Sequence, residues 1–384
     1  MANRIFEVMA QADASNFVAT DFLLFQSAGA SAKSVQVSQS GDQFGGTLLT
    51  YDGKTLNFPG ANLAEASQAD RIVFNDESLL LFGTASNDST LAGHVGMKDS
   101  AVYGFAGDDS ITTGSGNDYA YGGNGADTIV GGDGADHLYG QSPSGGADGA
   151  DSITGGAGND YIQGNAANDT LFGGDGRDRI LGGAGDDSIN GGSGHDTVNG
   201  NIGNDSIDGG LDNDVLRGGQ GNDTVLGGDG NDILQGDLGD DFLAGGTGYD
   251  VLFGGAGDDV FDFSEDSQYL ASGSFAGIVD VIADFENGAD KIELGFSTAA
   301  SVIVGSSAAS FQVTTAGFLA AADYANGLLE GRVDTVAAVL IGNDAYLFYK
   351  QGGGTFDVSD TVDAAIKILG VSAEAIDATD FVAP

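Results

Sequence analysis

The sequence predicts an all-β chain built around a solenoid of very short strands, and three observations predict it. Aspartates recur with a period of nine, an apolar side chain follows each by two positions, and glycines fill the intervening turns. The aspartates are Asp109, Asp118, Asp127 and Asp136, then Asp151, Asp160, Asp169, Asp178, Asp187, Asp196, Asp205, Asp214, Asp223, Asp232, Asp241, Asp250 and Asp259. That makes 17 units, and the one irregular step is fifteen, where QSPSGGADGA adds six residues. The apolar partners run from Ile111 to Phe261, with Ala120 the one small residue among them. Six residues of turn followed by three of strand, the middle one inward, describe a coil with one short β-strand.

The turn has its own chemistry. Glycine tolerates the positive φ and close backbone approach that such tight turns need. Two residues before the aspartate it stands at Gly107, Gly116, Gly125, Gly134, Gly158, Gly176, Gly185, Gly194, Gly221, Gly230 and Gly239. Carbonyls bent inward there, joined by the aspartate carboxylate, make an oxygen cage suited to a hard cation. Three units depart from the frame: Ala167 and Asp212 replace that glycine, and the unit of Asp118 begins with Thr113. The six-residue insert is expected to loop out, so that Asp127 pairs with Asp151 and Asp136 with Asp160. Upstream, Asp88 and Asp99 read as decayed repeats of a capping coil.

The frame GGxGxDxUx resembles the nonapeptide of RTX calcium-binding proteins. The resemblance covers residues 104–262, about two fifths of the chain. It implies a right-handed parallel β-roll with two nonapeptides per coil and a row of Ca²⁺ along each side. Each ion would sit between one turn and the same-side turn two units later, which gives roughly 15 sites as an upper expectation. About eight coils at roughly 4.8 Å each would make a rod near 40 Å long.

Composition narrows the partners. Lys and Arg total 12 against 57 Asp and Glu, a formal charge of −45. Such a chain repels phosphate backbones and anionic surfaces, which excludes nucleic acid as a partner. It would bind cations, and binding would relieve the repulsion. No cysteine is present, so disulfides and thiolate metal sites are excluded. No run approaches the roughly 18–20 apolar residues that span a bilayer, so no membrane insertion is expected. The start, MANRIFEVMAQADASNF, lacks the apolar core and cleavage site of a secretory signal.

The two faces of the roll differ. One shows Ser110, Thr112, Thr128, Ser152, Thr154, Ser188 and Ser206; the other shows Tyr119, Tyr121, Tyr139, Tyr161, Leu181, Ile233, Val251 and Phe253. Tyr119, Tyr121, Tyr139, Tyr161 and Phe253 are therefore an expected self-association surface. The alternative is that stacked aromatics only brace neighbouring strands.

Before the roll, residues 1–85 form a small β-rich module for attachment or assembly. SVQVSQSG alternates like a strand, GTLLTYDGKTLNFPG reads as a hairpin about Asp52-Gly53, and RIVFNDESLLLFG as another. The roll itself takes residues 86–262, and residues 263–384 form a β-rich cap with a short helix. In that cap, DVIADFENGADKIEL reads as strand, turn, strand, and resembles the segment that closes exported RTX arrays. VAAVLIGNDAYLFYK reads as a hairpin turning at Gly-Asn-Asp. SDTVDAAIKILG reads as the helix, capped by Ser359 or Asp360 and stopped by Gly370. The end, DATDFVAP, is similar to the uncleaved C-terminal signals of type I secretion substrates. Export from a Gram-negative cell and an extracellular or cell-surface location follow from that resemblance.

Catalytic chemistry is not legible. His94, His137 and His195 are the only histidines, and none lies in HExxH. His137 and His195 read as solvated roll residues. No GxSxG elbow occurs. Paired carboxylates such as Asp108-Asp109, Asp186-Asp187 and Asp240-Asp241 repeat with the array, so cation ligation explains them better than glycosidase acid–base work. A threonine ladder for ice binding is missing. The reading is a non-enzymatic, calcium-folded exported protein that forms or coats a surface layer or biofilm matrix by self-association. The alternative is a calcium-dependent adhesin for a cell-surface glycan or lipopolysaccharide, and a secreted hydrolase comes third.

Overall fold

The computed structural model describes residues 99–141 and 148–263 continuously. Outside them it describes 3–5, 22–25, 35–39, 46–51, 54–59, 72–74, 79–83, 88, 91–92, 280–285, 290–293, 301–304, 335–341, 344–349, 364–369 and 381–382. The chain divides into two compact units, Met1–Gly191 and Gly192–Pro384. Each carries a run of coils from a parallel β-solenoid.

In the first unit the nonapeptides alternate between two parallel sheets. One sheet runs Leu91–Ala92, Ser110–Ser115, Thr128–Asp133, Ser152–Ala157 and Thr170–Asp175. The other runs Leu79–Phe82, Ser100–Ala106, Tyr119–Asn124, His137–Tyr139, Tyr161–Ala166 and Arg179–Ala184. A coil is therefore two nonapeptides, and inward residues lie in register, as in Ile111 beside Ile129 beside Ile153. Strands flanking the six-residue insert pair as if it were absent.

The second unit repeats the pattern. One sheet runs Ser206–Leu211, Thr224–Gly230, Phe242–Gly248, Val260–Asp262, Lys291–Glu293 and Phe381–Val382. The other runs Thr197–Ile202, Val215–Gln220, Ile233–Leu238, Val251–Ala256, Asp280–Ile282 and Ala364–Ile368. The antiparallel pair Asp344–Tyr349 and Thr335–Ile341 extends this second sheet.

The core is the inward residue of each strand. From Ile111 to Phe261 these side chains are at most 2% exposed. Full burial of such an aliphatic contributes roughly 1.5–3 kcal/mol. This is the core that the period of nine predicts.

The flanking segments bring corrections. SDTVDAAIKILG contains no helix among its described residues. Ala364–Ile368 is a strand paired on both sides, burying Ile366 and Ile368. Alternate isoleucines and an open sheet edge outweigh the helix propensity of alanine. RIVFNDESLLLFG is not a hairpin. Ile72–Phe74 joins a parallel sheet with Phe22–Phe25 and Asn3–Ile5, whereas Leu79–Phe82 joins the roll. Leu80, Leu81 and Phe82 are buried there, which a free hairpin would leave exposed. DVIADFENGADKIEL does hold two strands, but each extends a different sheet as one more coil. The hairpin Gly46–Tyr51 with Lys54–Pro59 is present, with Gln36–Gln39 beside it. Asp52 and Gly53, read as its turn, lie outside the described residues. Ser359, Asp360 and Gly370 lie outside the described residues.

Candidate metal centre

Every repeat aspartate is buried, none more than 3% exposed. The tight turn carries each carboxylate inward beneath its own strand, and the two oxygens then have different fates. Oδ1 accepts the backbone N–H of the aspartate one coil earlier, as Asp127 does from Asp109 at 2.8 Å and Asp241 from Asp223 at 2.8 Å. The link holds across the insert, where Asp151 serves Asp127 and Asp160 serves Asp136. It continues past the last nonapeptide, where Asp280 serves Asp250 and Asp290 serves Asp259.

Oδ2 has a different surrounding. In Asp109, Asp127, Asp136, Asp151, Asp160, Asp169, Asp214, Asp223, Asp232, Asp241, Asp250 and Asp259 it is buried with no hydrogen-bond partner. A buried carboxylate oxygen without a partner is costly, and its recurrence at these positions marks a site. The position a Cβ would take on Gly209 lies 2.5 Å from Oδ2 of Asp214 and 2.6 Å from the carbonyl oxygen of Gly227. A Cβ there would clash with both oxygens, so only glycine lets the carboxylate and that carbonyl approach one another. Only glycine leaves this cradle open, and Gly122, Gly140, Gly155 and Gly236 frame the same pair of oxygens in their own coils. Among the described residues no three His, Cys, Asp or Glu side chains converge on one point. The donors are therefore mixed, one carboxylate with backbone carbonyls.

The electrostatics agree. Burial pushes these carboxyls well above the usual range, to about 6 at Asp127, about 7 at Asp214 and about 8 at Asp151 and Asp250. Backbone N–H donation pulls in the other direction, and neighbouring aspartates of the same column add to the rise. A cation is the group that would reverse this balance.

Of the fifteen glycines placed two before a repeat aspartate, thirteen hold a positive φ, Gly134 and Gly158 among them; Gly149 and Gly230 do not. Ala167 and Asp212 adopt the same conformation at φ 77° and 72°, against their own preference. Asp88 occupies the ladder position as expected, giving its N–H to Asp109. Asp99 does not. Ser100 gives its N–H to Asp118, and Asp99 instead accepts from Asn117. The shift of one residue follows from the irregular spacing of that coil.

That contact belongs to a second ladder outside the first, which the sequence reading missed. Where the residue before an aspartate is Asn or Asp, its side chain accepts the N–H of the counterpart one coil later. Asn204 serves Asn222, Asn222 serves Asp240, and Asp240 serves Asp258. His195 takes the same role through Nδ1 towards Asn213. The signal was available: 11 of 17 such positions are Asn or Asp.

The RTX calcium-binding nonapeptide repeat family matches residues 103–140, 145–180, 172–207, 199–234, 208–243 and 235–267. Residues 103–267 are RTX calcium-binding nonapeptide repeats. No curated protein matches the chain. Among solved structures, the AlgE6R3 subunit of the mannuronan C5-epimerase of Azotobacter vinelandii is 28% identical over 45% of this chain and 80% of its own. The TM-score is 0.29.

The outward faces of the roll divide less cleanly than the sequence suggests, since the Ser/Thr sheet also exposes Val130, Phe172 and Leu211. Ser110, Thr128, Ser152 and Thr170 lie in one register column. On the other sheet Tyr103, Tyr121 and Tyr139 stack, with centroids 4.8 and 4.7 Å apart. His137, partly exposed, is also stacked between Tyr119 and Tyr161, at 4.7 and 5.6 Å. Tyr119, Tyr121, Tyr139, Tyr161 and Phe253 are all only half-exposed. The most exposed large apolar side chains are Leu238, Ile202 and Leu211. Ile202 and Leu238 line a groove of about 540 Å³ together with Asn199, Asn201, Arg217, Gln220 and Asp237.

Proposed function

We propose that this chain is an exported structural protein whose roll closes on calcium and then forms or coats an extracellular assembly. The observation that carries the proposal is the recurrence of buried aspartate oxygens without partners beside glycine carbonyls, as at Asp127, Asp151, Asp160, Asp214 and Asp241. The repeat aspartates and those carbonyls would hold Ca²⁺. Bound there, the ion supplies positive charge to a column of like charges and completes the coordination of their oxygens. Where calcium is scarce the carboxylates repel, and the chain stays open enough for a narrow exporter. Outside, ligation and folding become one event. The role is non-enzymatic in this reading, since the ordered chemistry serves ligation.

Self-association is supported by the sheet face of strands Thr197–Ile202 to Val251–Ala256. There Val215, Ile233, Ile202 and Leu238 are exposed, and Arg217 and Asp237 form an ion pair. A chain of net charge −45 meets a second copy most easily where charge is balanced. The groove lined by Ile202 and Leu238 favours a second reading, a calcium-dependent adhesin. Circular dichroism and electron microscopy of the purified chain, with Ca²⁺ and with chelator, test both. Gain of β signal together with sheets or filaments is expected. A β signal indifferent to calcium removes the folding part, and folded monomers that bind a glycan shift the case to the adhesin.

A further inference from the structure

The cradle has one exception. Sixteen of the seventeen aspartates have a glycine five residues earlier, and Asp118 has Thr113. Thr113 is fully buried, and its Oγ1 donates to the carbonyl oxygen of Gly131 at 2.8 Å. Gly131 is to this coil what Gly122 is to the coil of Asp109, the carbonyl facing the cradle. The Asp118 carboxyl also lies within hydrogen-bonding reach of the Thr113 hydroxyl. A hydroxyl is a rotor with one proton, and both of the oxygens that frame the cradle are within its range. In the other coils the same space is framed by glycine and holds no side chain.

We propose that Thr113 takes the place of the cation in the coil of Asp118, so that this coil closes without metal. The inference rests on the calcium reading above. Any Cβ at this position fills the cradle, and the hydroxyl supplies the polar contact that the carbonyl of Gly131 would otherwise lack. It brings no charge, so the coil gains closure without neutralisation. The consequence is an asymmetric array in which one coil near its start needs no ion. Threonine also restricts its own χ1, which fixes the hydroxyl on this side of the turn.

Native mass spectrometry at saturating Ca²⁺ counts the ions per chain. Thr113→Gly installs the residue found in the other sixteen repeats and is expected to add one ion. Thr113→Ser keeps the hydroxyl and is expected to leave the count as in the wild type. Gly236→Thr is the converse and is expected to remove one ion, which decides the matter if Thr113→Gly fails to fold. Counts unchanged in both Thr113→Gly and Gly236→Thr overturn the proposal. A wild-type chain that carries no calcium overturns the calcium reading together with it, a result distinct from equal counts.

Discussion

Ala167 sits where its neighbours have glycine and holds φ 77°. A left-handed conformation costs a residue with a Cβ roughly 1–2 kcal/mol, part of which glycine returns as unfolded-state entropy. Ala167→Gly should therefore stabilise the calcium-loaded protein by about 1 kcal/mol. Urea unfolding in Ca²⁺ reads it, and a lower midpoint would contradict the strain. The aspartates give a second expectation at this scale. Their folded-state values of about 6 to 8 stand above the ordinary value of about 4. The folded calcium-free chain thus binds protons more tightly than the unfolded one. Its stability is fully present below about pH 4 and is lost as pH rises through 6 to 8. In chelator, circular dichroism should show more β structure at pH 5 than at pH 8, and equal spectra would remove the effect.

Among the elements, the turn is held by two ladders running in opposite directions. The inner one passes N–H bonds forward to the next aspartate, the outer one back to the preceding Asn or Asp. Asn222→Ala removes the acceptor for Asp240 N–H while leaving the aspartate column intact. It should cost about 1 kcal/mol in thermal unfolding with Ca²⁺ and leave the ion count unchanged. A change in count would mean the outer ladder ligates. The strands and their inward residues were legible because the period of nine repeats too often for chance. The outer ladder was overlooked because an Asn beside an Asp reads as ordinary turn composition. The helix read at Ala364–Ile368 failed because its local alternation is short, and only the neighbouring strand Asp280–Ile282 shows what it pairs with.

At the scale of the whole molecule, each carboxylate touches the coil before it, so occupancy of one turn favours the next. The calcium titration of β signal should be cooperative, with a Hill coefficient above one. Magnesium prefers shorter distances of about 2.0–2.1 Å and rigid octahedral geometry, and it should not replace calcium at equal concentration. A non-cooperative curve, or full folding in Mg²⁺, would argue against a stack of shared calcium cradles. A charge of −45 adds to this, since the repulsion falls for the whole chain as ions bind.

The sequence alone determined the repeat, its inward aliphatics, the aspartates that turn into the roll, and the hard oxygen chemistry they present. These follow from spacing, which a repeat states directly. Tertiary structure decided the rest. Stacking one coil on the next turned Oδ1 into a ladder acceptor, left Oδ2 facing a carbonyl, and recruited Asp280 and Asp290 from outside the nonapeptides. It also put Thr113 where the other coils keep an open cradle. Contacts between residues eighteen or thirty positions apart depend on which coil lies beneath, and no local pattern carries that information.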